Sequence, residues 1–438
     1  MEDCSGGPDR STKPLEAPER TIHDETADSE LSASGGLMPL HARRILEITF
    51  SLSLAAAPAS PQRVQQQPPR PELPDGADRN DPWTYYRLAQ SVLTRSPQKA
   101  ADAYYWAGRL NPVWAEAFYG RRTALLLSDP RRLTRYWRGD KGAVRETMGI
   151  DSLYLYALTL NPFLGPNLDH LILDAVIQEY SRQYANSSGA SPNDVAYEVQ
   201  NYFRTGPPEW QAVRAYRDGR FDDALSLYAK AISRSKQKGP LLAERGRLFY
   251  QIGEPDSALV TLTQALIELR KEDKDDIVFF YQSKALMEER IGMIQSVKGD
   301  KAAARESFGR ALAEDLSYFP AHVQLAYLGL ESRDTAAVMN EMDLAVSIRP
   351  DDPGIRYQYG FALGSLNRLK EAEAQLMKSI ELDPDFAAPH FTLADVYQAT
   401  GRRPQAVKEY ETFLSLAAKT DTRREEADQM MAILKGSE

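Results

Sequence analysis

The strongest constraint on the fold is a pattern that recurs about every 34 residues in the second half of the chain. It is clearest in residues 353–386, PGIRYQYGFALGSLNRLKEAEAQLMKSIELDPDF. Because Pro384 disfavours helical backbone at Asp383, the stretch predicts two amphipathic helices that are joined by a short turn at 366–368 and end at this proline. The small and apolar residues at helical spacing are Tyr359, Gly360 and Leu363 in the first half, and Ala372, Leu376 and Ser379 in the second.

One such helix pair leaves an apolar face uncovered, so it needs neighbouring copies to bury that face. Small residues such as Ala304 and Ala372 recur at one position, where they permit close helix approach. A large residue such as Phe308 or Tyr410 follows four positions after the small residue and fills the space beside it. The register is interrupted only at 273–284. The six units are 205–238, 239–272, 285–318, 319–352, 353–386 and 387–420.

This period, with small residues where helices cross, an aromatic residue four positions later and a terminal proline, resembles the tetratricopeptide repeat. The resemblance implies an all-α fold, a right-handed superhelical solenoid of antiparallel helix pairs over residues 205–420. Glycines recur at the predicted turn between the two helices, as at Gly219 and Gly401. They are therefore expected to be turn residues and not a phosphate-binding loop.

The rest of the chain is expected to be less regular. Residues 81–204 carry helical patterns that match the 34-residue template only loosely, so they are either degenerate repeats or a separate helical domain. A charged amphipathic segment at 421–438 predicts a helix that caps the last repeat, with Ala427, Met430 and Ile433 facing inward. The remaining expected segments are a disordered leader at 1–37, a candidate signal peptide at 38–60 and a Pro/Gln-rich linker at 61–80.

The segment from Met38 has the order of a secretory signal peptide. Arg43 and Arg44 precede a mainly apolar run at 45–57, and Ala-Pro-Ala-Ser follows. The run is shorter than the roughly 20 residues that a transmembrane helix needs, so no stable transmembrane span is expected. Export to the periplasm or the extracellular space is the prediction, with Met38 as the true start. A short amphipathic helix in the leader of a cytoplasmic protein is the alternative.

Composition narrows the classes of function. The net charge of -9 and the pI near 5.4 argue against nucleic-acid binding, which usually needs a basic surface. Cys4 is the single cysteine, so neither an intramolecular disulfide nor a thiolate metal site is available. His322 and His390 occupy the same repeat position, two units apart, and are expected to pack or hydrogen-bond rather than bind metal. No catalytic residue, cofactor or metal is predicted, and the oligomeric state stays open.

The resemblance also implies a concave groove that is lined by the first helix of each unit. In the last three units this groove would be apolar and aromatic, which suits an extended segment or an amphipathic helix of a partner protein. The alternative is that these side chains only serve repeat packing. The predicted groove residues are Val323, Tyr327, Leu330, Tyr357, Phe361, Phe391, Asp395 and Gln398.

A basic cluster interrupts the acidic chain. Its core is Arg131, Arg132, Arg135 and Arg138, and Arg121 and Arg122 precede it. Such a cluster would suit an acidic partner, phospholipid headgroups or a polysaccharide, or it forms a solvated face that keeps the region soluble. The carboxylates of the repeats, Asp383 among them, are expected to be solvated surface charges.

Three functions fit these features. The favoured hypothesis is a non-catalytic scaffold that binds a partner segment in its groove, in the cell envelope if the chain is exported. The second is an enzyme or enzyme subunit whose active part lies in 81–204, where a closed pocket with convergent polar groups would support it. The third is a structural spacer, which is favoured if the chain's own residues fill the groove.

Overall fold

The computed structural model describes residues 67–436 apart from 138 and 273–282. These residues form α-helices and no β-strand, which confirms the all-α solenoid. The leader and the candidate signal peptide lie outside the described residues, as does most of the interruption between the second and third units.

Among the described residues, seven helices precede the regular array. The first three are consecutive antiparallel neighbours, and the longer fifth and sixth helices pack on the third. They are α1 (Pro82–Val92), α2 (Pro97–Leu110), α3 (Ala115–Ser128), α4 (Pro130–Trp137), α5 (Lys141–Leu160), α6 (Asp169–Ser188) and α7 (Pro192–Thr205).

In the part of the array that the structure describes, six helix pairs are followed by a final helix. Each pair falls within one of the six expected units, except that the third pair begins one residue early at Lys284, and successive pairs contact each other in chain order. The pairs are α8 (Pro208–Arg217) with α9 (Phe221–Arg234), α10 (Gly239–Gln251) with α11 (Pro255–Glu272), α12 (Lys284–Val297) with α13 (Lys301–Glu314), α14 (Phe319–Glu331) with α15 (Thr335–Ile348), α16 (Pro353–Ser365) with α17 (Leu369–Leu382), and α18 (Ala387–Ala399) with α19 (Arg403–Leu416); the final helix is α20 (Arg423–Gly436).

The residues that begin and end these helices explain their lengths. At the start of α16 the Asp352 carboxylate accepts hydrogen bonds from the backbone N–H groups of Gly354 and Ile355, and Pro353 takes the first helical position. Each pair then reverses at one residue with positive φ, at the same repeat position in all six units. These turn residues are Gly219, Gly253, Gly299, Arg333, Asn367 and Gly401.

The core of each unit is built where the sequence places small residues. Ala304 and Ala372 are fully buried at helix crossings, and the side chains of Phe308 and Tyr410 fill the space that the small residues leave. At the crossing of α16 and α17, a Cβ atom on Gly360 would lie 2.6 Å from Leu376 Cγ. The contact between the two helices therefore requires glycine there.

The N-terminal helices do more than extend the array. Their core is continuous with that of α10 to α12, because Tyr154 and Phe163 belong to the same buried cluster as Leu262 and Ile291. The chain after α5 thus folds back against units that follow it by about 90 to 130 residues. The irregular region is therefore packed against the inner face of the repeats.

At the other end, α20 packs on α19 and covers the last unit, as expected for a cap. Ala427 and Leu434 are its buried residues, whereas Ile433 is exposed. The expectation that Ile433 faces inward is wrong. Residues 427, 430 and 434 continue one helical face at spacings of three and four, and position 433 turns away from it.

Candidate partner-binding groove

The first helices of the last three units place their predicted residues in rows across one concave face. One row consists of Val323, Tyr357 and Phe391, which are partly or fully buried at the base of the groove. A second row, four residues further along each helix, consists of Tyr327, Phe361 and Asp395. The rows arise because identical repeat positions of successive units stand side by side. We call the concave face of units 319–420 the downstream groove.

The second row is the exposed one. The side chains of Tyr327 and Phe361 are 38% and 47% exposed, although both are large and aromatic. Burial of its hydroxyl raises the pKa of Tyr327, and Tyr357 adds to the rise. The rings of Tyr357 and Phe361 lie 6.4 Å apart between centroids. Leu330, half-buried, flanks this aromatic surface.

The downstream end of the groove is polar. The Tyr410 hydroxyl donates to Asp395 Oδ1 (2.5 Å) and contacts Gln398 Oε1 (3.1 Å). Burial raises the pKa of Asp395, and Glu426 of α20 adds to the rise while the Tyr410 hydrogen bond opposes it. Arg423 of α20 extends over the Phe391 ring. The capping helix therefore supplies one wall of the groove, which the repeat pattern alone did not indicate.

The same face of the earlier units is occupied by the chain itself. Residues 161–168, between α5 and α6, cross it, and we call them the plug loop. Phe163 stacks on Tyr250 of α10 with 3.7 Å between ring centroids and 19° between planes. Gln251 Nε2 donates to the Phe163 carbonyl (3.0 Å), and Arg290 Nε donates to the Pro162 carbonyl (2.6 Å). The concave face of units 205–318, the upstream groove, is therefore closed.

Residues 353–386, the unit with the clearest pattern in the sequence, match the tetratricopeptide repeat family model. The chain therefore contains the tetratricopeptide repeat. A comparison with curated proteins gave no match.

Several solved structures are similar to this tetratricopeptide-repeat protein in fold. YrrB, described as a TPR protein with an unusual peptide-binding site, is 20% identical with a TM-score of 0.36, over 48% of this chain and 98% of that one. The C-terminal part of a TPR repeat-containing protein from Cytophaga hutchinsonii is 16% identical with a TM-score of 0.40, over 47% and 78%. MamA from Desulfovibrio magneticus RS-1 is 18% identical with a TM-score of 0.35, over 42% and 96%.

The edge of the downstream groove is bordered by the N-terminal helices of this tetratricopeptide-repeat protein. Arg109 of α2 pairs with Asp385 (2.9 Å) and with Asp383 (3.2 Å) in the turn after α17. Asp383 is 1% exposed, so the expectation that it is a solvated surface charge is wrong. Burial raises its pKa to about 6, and the charge of Arg109 opposes the rise. The carboxylate is buried because α2, remote in sequence, covers it.

Two further contacts continue this border along the turns between units. The Tyr156 hydroxyl of α5 donates to Asp352 Oδ2 (2.8 Å), and Asn80 Nδ2 donates to the Ser415 carbonyl (2.7 Å). The two residues that form each contact lie 196 residues apart in the first case and 335 residues apart in the second. The N-terminal helices therefore run antiparallel to the array along one edge, and leave the downstream groove itself uncovered at Tyr327 and Phe361.

The two repeat histidines make the hydrogen bonds that were expected. His322 Nδ1 lies 2.7 Å from Glu341 Oε2, and His390 Nδ1 lies 2.6 Å from Glu409 Oε2. Each pair joins the two helices of one unit. Among the described residues, no group of three or more His, Cys, Asp or Glu side chains is arranged to hold a metal ion.

The basic cluster is divided by the fold. Arg122 is buried and pairs with Asp151 (2.9 Å), and Arg121, also buried, lies over the Tyr105 ring. Burial therefore excludes both from any surface patch. Of the four core residues, Arg131 is exposed, Arg132 pairs with Glu146 and Arg135 with Asp129, while Arg138 lies outside the described residues.

A cleft that the sequence did not indicate lies between α6, α7 and α8. Its volume is about 500 Å³, and its lining includes the apolar side chains of Leu173, Ile177 and Trp210. Asp174 lines it as well, and burial raises the pKa of this carboxyl although His170 and other positive charges oppose the rise. The sequence signal for this cleft was an apolar periodicity in α6, and such a periodicity is equally typical of a helix that is simply packed in the core.

Proposed function

We propose that this tetratricopeptide-repeat protein is a non-catalytic interaction scaffold that binds a segment of a partner protein in the downstream groove. The observation that carries the proposal is the contrast between two halves of one concave face. The plug loop fills the upstream groove, while Tyr327 and Phe361 stay exposed in the downstream groove. A structural spacer would not need an open downstream groove. The filling of the upstream groove by the plug loop is therefore not sufficient to favour the spacer hypothesis.

Exposed aromatic rings in a concave surface are suited to anchor a partner. Aromatic side chains dominate the energetics of interfaces because they bury a large apolar area and lose little conformational entropy. A flexible partner segment loses entropy when it becomes ordered, so we expect a single segment to bind with micromolar affinity.

Photo-cross-linking in cells tests this proposal. A photoreactive amino acid replaces Phe361 in one variant and Val260, exposed on the second helix of an earlier unit, in the matched control. We expect the variant at 361 to cross-link to one continuous segment of a partner, and the variant at 260 to give no such product. Equal cross-linking from both positions would contradict the proposal, as would no product from 361.

The cleft supports one alternative from another class, an enzyme whose active part lies in the N-terminal helices. Asp174 and His170 are two of the titratable side chains that line it beside the apolar residues. Replacing both by their amide or neutral counterparts, Asp174→Asn and His170→Gln, leaves the downstream groove intact. If a cellular phenotype of the deleted gene is restored by this variant and not by Phe361→Ala, the scaffold function is favoured over the enzyme.

The cellular location is also part of the proposal. We propose export directed by residues 38–60, and action in an envelope or periplasmic assembly. Among the described helices, none is long and apolar enough to cross a membrane. N-terminal sequencing of the protein from fractionated cells tests the location. A start near Ser60 in an exported fraction is expected, and an intact Met1 or Met38 in the cytoplasm would contradict export.

A further inference from the structure

The plug loop shows how this concave face holds a polypeptide segment. Its backbone carbonyls accept hydrogen bonds from two side chains of the groove, Gln251 and Arg290. Its aromatic side chain, that of Phe163, stacks on a groove tyrosine. The plug-loop carbonyls belong to a turn in which the backbone N–H of Leu164 donates to the Asn161 carbonyl (3.0 Å). The groove therefore holds backbone carbonyls through side-chain donors and an apolar side chain through a ring.

The downstream groove also carries side-chain hydrogen-bond donors, and these are not bonded to the plug loop. Gln324 and Gln358 stand at the repeat position that Arg290 has in its own unit, on the helical face that also carries Tyr327 and Phe361. Both glutamines are half-buried, and within the described part of the chain neither side-chain amide has a hydrogen bond. Amide N–H groups in such a position can donate to backbone carbonyls, as Gln251 does in the upstream groove.

The spacing of the units sets the spacing of the ligand. The first helices of the last two units, α16 and α18, contact each other directly, and packed helices lie about 8–10 Å apart. A polyproline II segment advances about 3.1 Å per residue with three residues per turn. A segment in this conformation therefore presents the same side to the groove at every third residue, once for each unit. Two apolar side chains three residues apart would meet Tyr327 and Phe361 in turn.

The third place in the same row carries a negative charge instead of a ring. The Asp395 side chain is partly exposed there, and its Oδ1 accepts the hydrogen bond from the Tyr410 hydroxyl. Glu426 is close enough to raise the pKa of Asp395 further. Glu426 lies on α20 between Arg423 and Met430, which contact the groove residues Phe391 and Gln398. The positive charge of Arg423 is directed to Asp421 at 2.7 Å. The end of the row therefore favours a positively charged side chain.

We propose that the ligand of the downstream groove is a polyproline II segment with two apolar side chains three residues apart, followed after three more residues by lysine or arginine. Gln324 and Gln358 hold its backbone carbonyls, Tyr327 and Phe361 its apolar side chains, and Asp395 with Glu426 its basic side chain. This inference rests on the proposed function and adds the chemistry of the partner segment.

Short synthetic peptides test it with the full chain. The probe is an acetylated, amidated proline-containing peptide with two leucines and one lysine at these spacings, made in both sequence directions. Its comparison peptide has glutamate in place of lysine. In fluorescence anisotropy titrations we expect one direction of the lysine peptide to bind at least tenfold more tightly than the glutamate peptide. The preference should disappear in the double variant Asp395→Asn, Glu426→Gln.

Each outcome decides the inference. Equal affinity for the two peptides, a preference for glutamate, no detectable binding of either lysine peptide, or a preference that persists in the double variant would overturn it. None of these peptide results bears on whether position 361 cross-links to a partner. The proposed function and this inference can therefore fail independently of each other. The comparison of the lysine and glutamate peptides is made on the unaltered protein, so it does not depend on how the double variant folds. In the double variant, the result counts only if the lysine peptide still binds.

Discussion

At the scale of single residues, the unusual feature is a pair of buried ionisable side chains, Glu289 and Arg290, of which Arg290 holds the plug loop. Glu289 of α12 is 1% exposed, accepts a hydrogen bond from the Tyr318 hydroxyl, and lies next to the buried Arg290. Burial raises the pKa of Glu289 to about 8, although the Tyr318 hydrogen bond and the charge of Arg290 oppose the rise. Glu289 is therefore mostly protonated in the folded protein at neutral pH.

This carboxyl makes the free energy of unfolding depend on pH. The folded chain keeps the Glu289 proton up to about pH 8, whereas the unfolded chain releases it near the ordinary value of 4.5. The contribution to stability is thus full below pH 4.5 and is lost as pH rises towards 8. We expect Glu289→Gln, measured by urea unfolding, to gain stability relative to the parent by up to about 1.4 kcal/mol per pH unit across this range.

The exposed carboxylate of Glu306, on the adjacent helix α13, provides the matched control. Glu306→Gln removes a glutamate carboxyl from an exposed position and leaves the buried carboxyl in place. If the Glu289→Gln and Glu306→Gln variants differ from the parent by the same amount at every pH, the burial of Glu289 does not control the pH dependence.

At the scale of helices and turns, one small residue in each unit sets how closely its two helices pack. In the unit 353–386 this residue is Gly360, whose backbone faces the Leu376 side chain. A side chain added there must displace Leu376 or separate α16 from α17. The same relation holds at Gly246 with Leu262 and at Gly292 with Phe308.

The variant Gly360→Ala should therefore destabilise the chain by about 1–3 kcal/mol, since overfilling a packed crossing costs that much. Gly364→Ala in the same helix is the control, because a Cβ atom there meets nothing within 4 Å. We expect this control to be neutral or to stabilise by about 0.5–1 kcal/mol, as alanine is the better helix former. Urea unfolding midpoints compare them, and an equal loss in both variants would contradict the packing argument.

Much of this element-level structure was predictable from the sequence. The crossings at Ala372 and Gly360 follow from the recurrence of small residues, and glycine at four of the six turns predicts the positive φ found there. The turns at Arg333 and Asn367 adopt the same backbone without glycine. The fixed geometry of the unit imposes that conformation, so the turn position was predictable from the register and not from the residue type.

At the scale of the whole molecule, the N-terminal helices fold back and divide the concave face into a closed and an open half. This division could not be predicted from the repeat pattern, because in a solenoid each unit contacts only its neighbours. The plug loop has no periodicity, and its partners Gln251 and Arg290 lie 88 and 128 residues away. The available signal was the charge of Arg247 and Arg290 at concave positions, which are buried here under the loop.

The groove residues themselves were predictable, since Tyr327, Phe361 and Asp395 occupy the positions that the repeat resemblance implies. The solvent exposure of these side chains could not be predicted, because it depends on how far the N-terminal helices extend along the array. The Glu426 and Arg423 side chains were also missed. The sequence identified α20 as a cap but gave no indication that its first turns border the groove.

The plug loop leads to a prediction about two phenylalanines. Phe163 is 5% exposed and stacked on Tyr250, so Phe163→Ala should destabilise the chain by about 3–5 kcal/mol, as for other buried aromatic residues. Phe361→Ala, at the exposed position of the open half, should cost less than about 1 kcal/mol. Thermal or urea unfolding of both variants measures this difference. Similar losses at the two positions would mean that the two halves of the concave face are not distinct.

The most direct test of the central claim is hydrogen exchange of the full chain with and without the partner segment recovered by cross-linking. We predict new protection of backbone amides in α14, α16 and α18, the helices that line the downstream groove, and unchanged exchange in α10 and α12 beneath the plug loop. New protection confined to α6, α7 and α8 would place the partner in the cleft. That result would contradict the assignment of the downstream groove as the binding site.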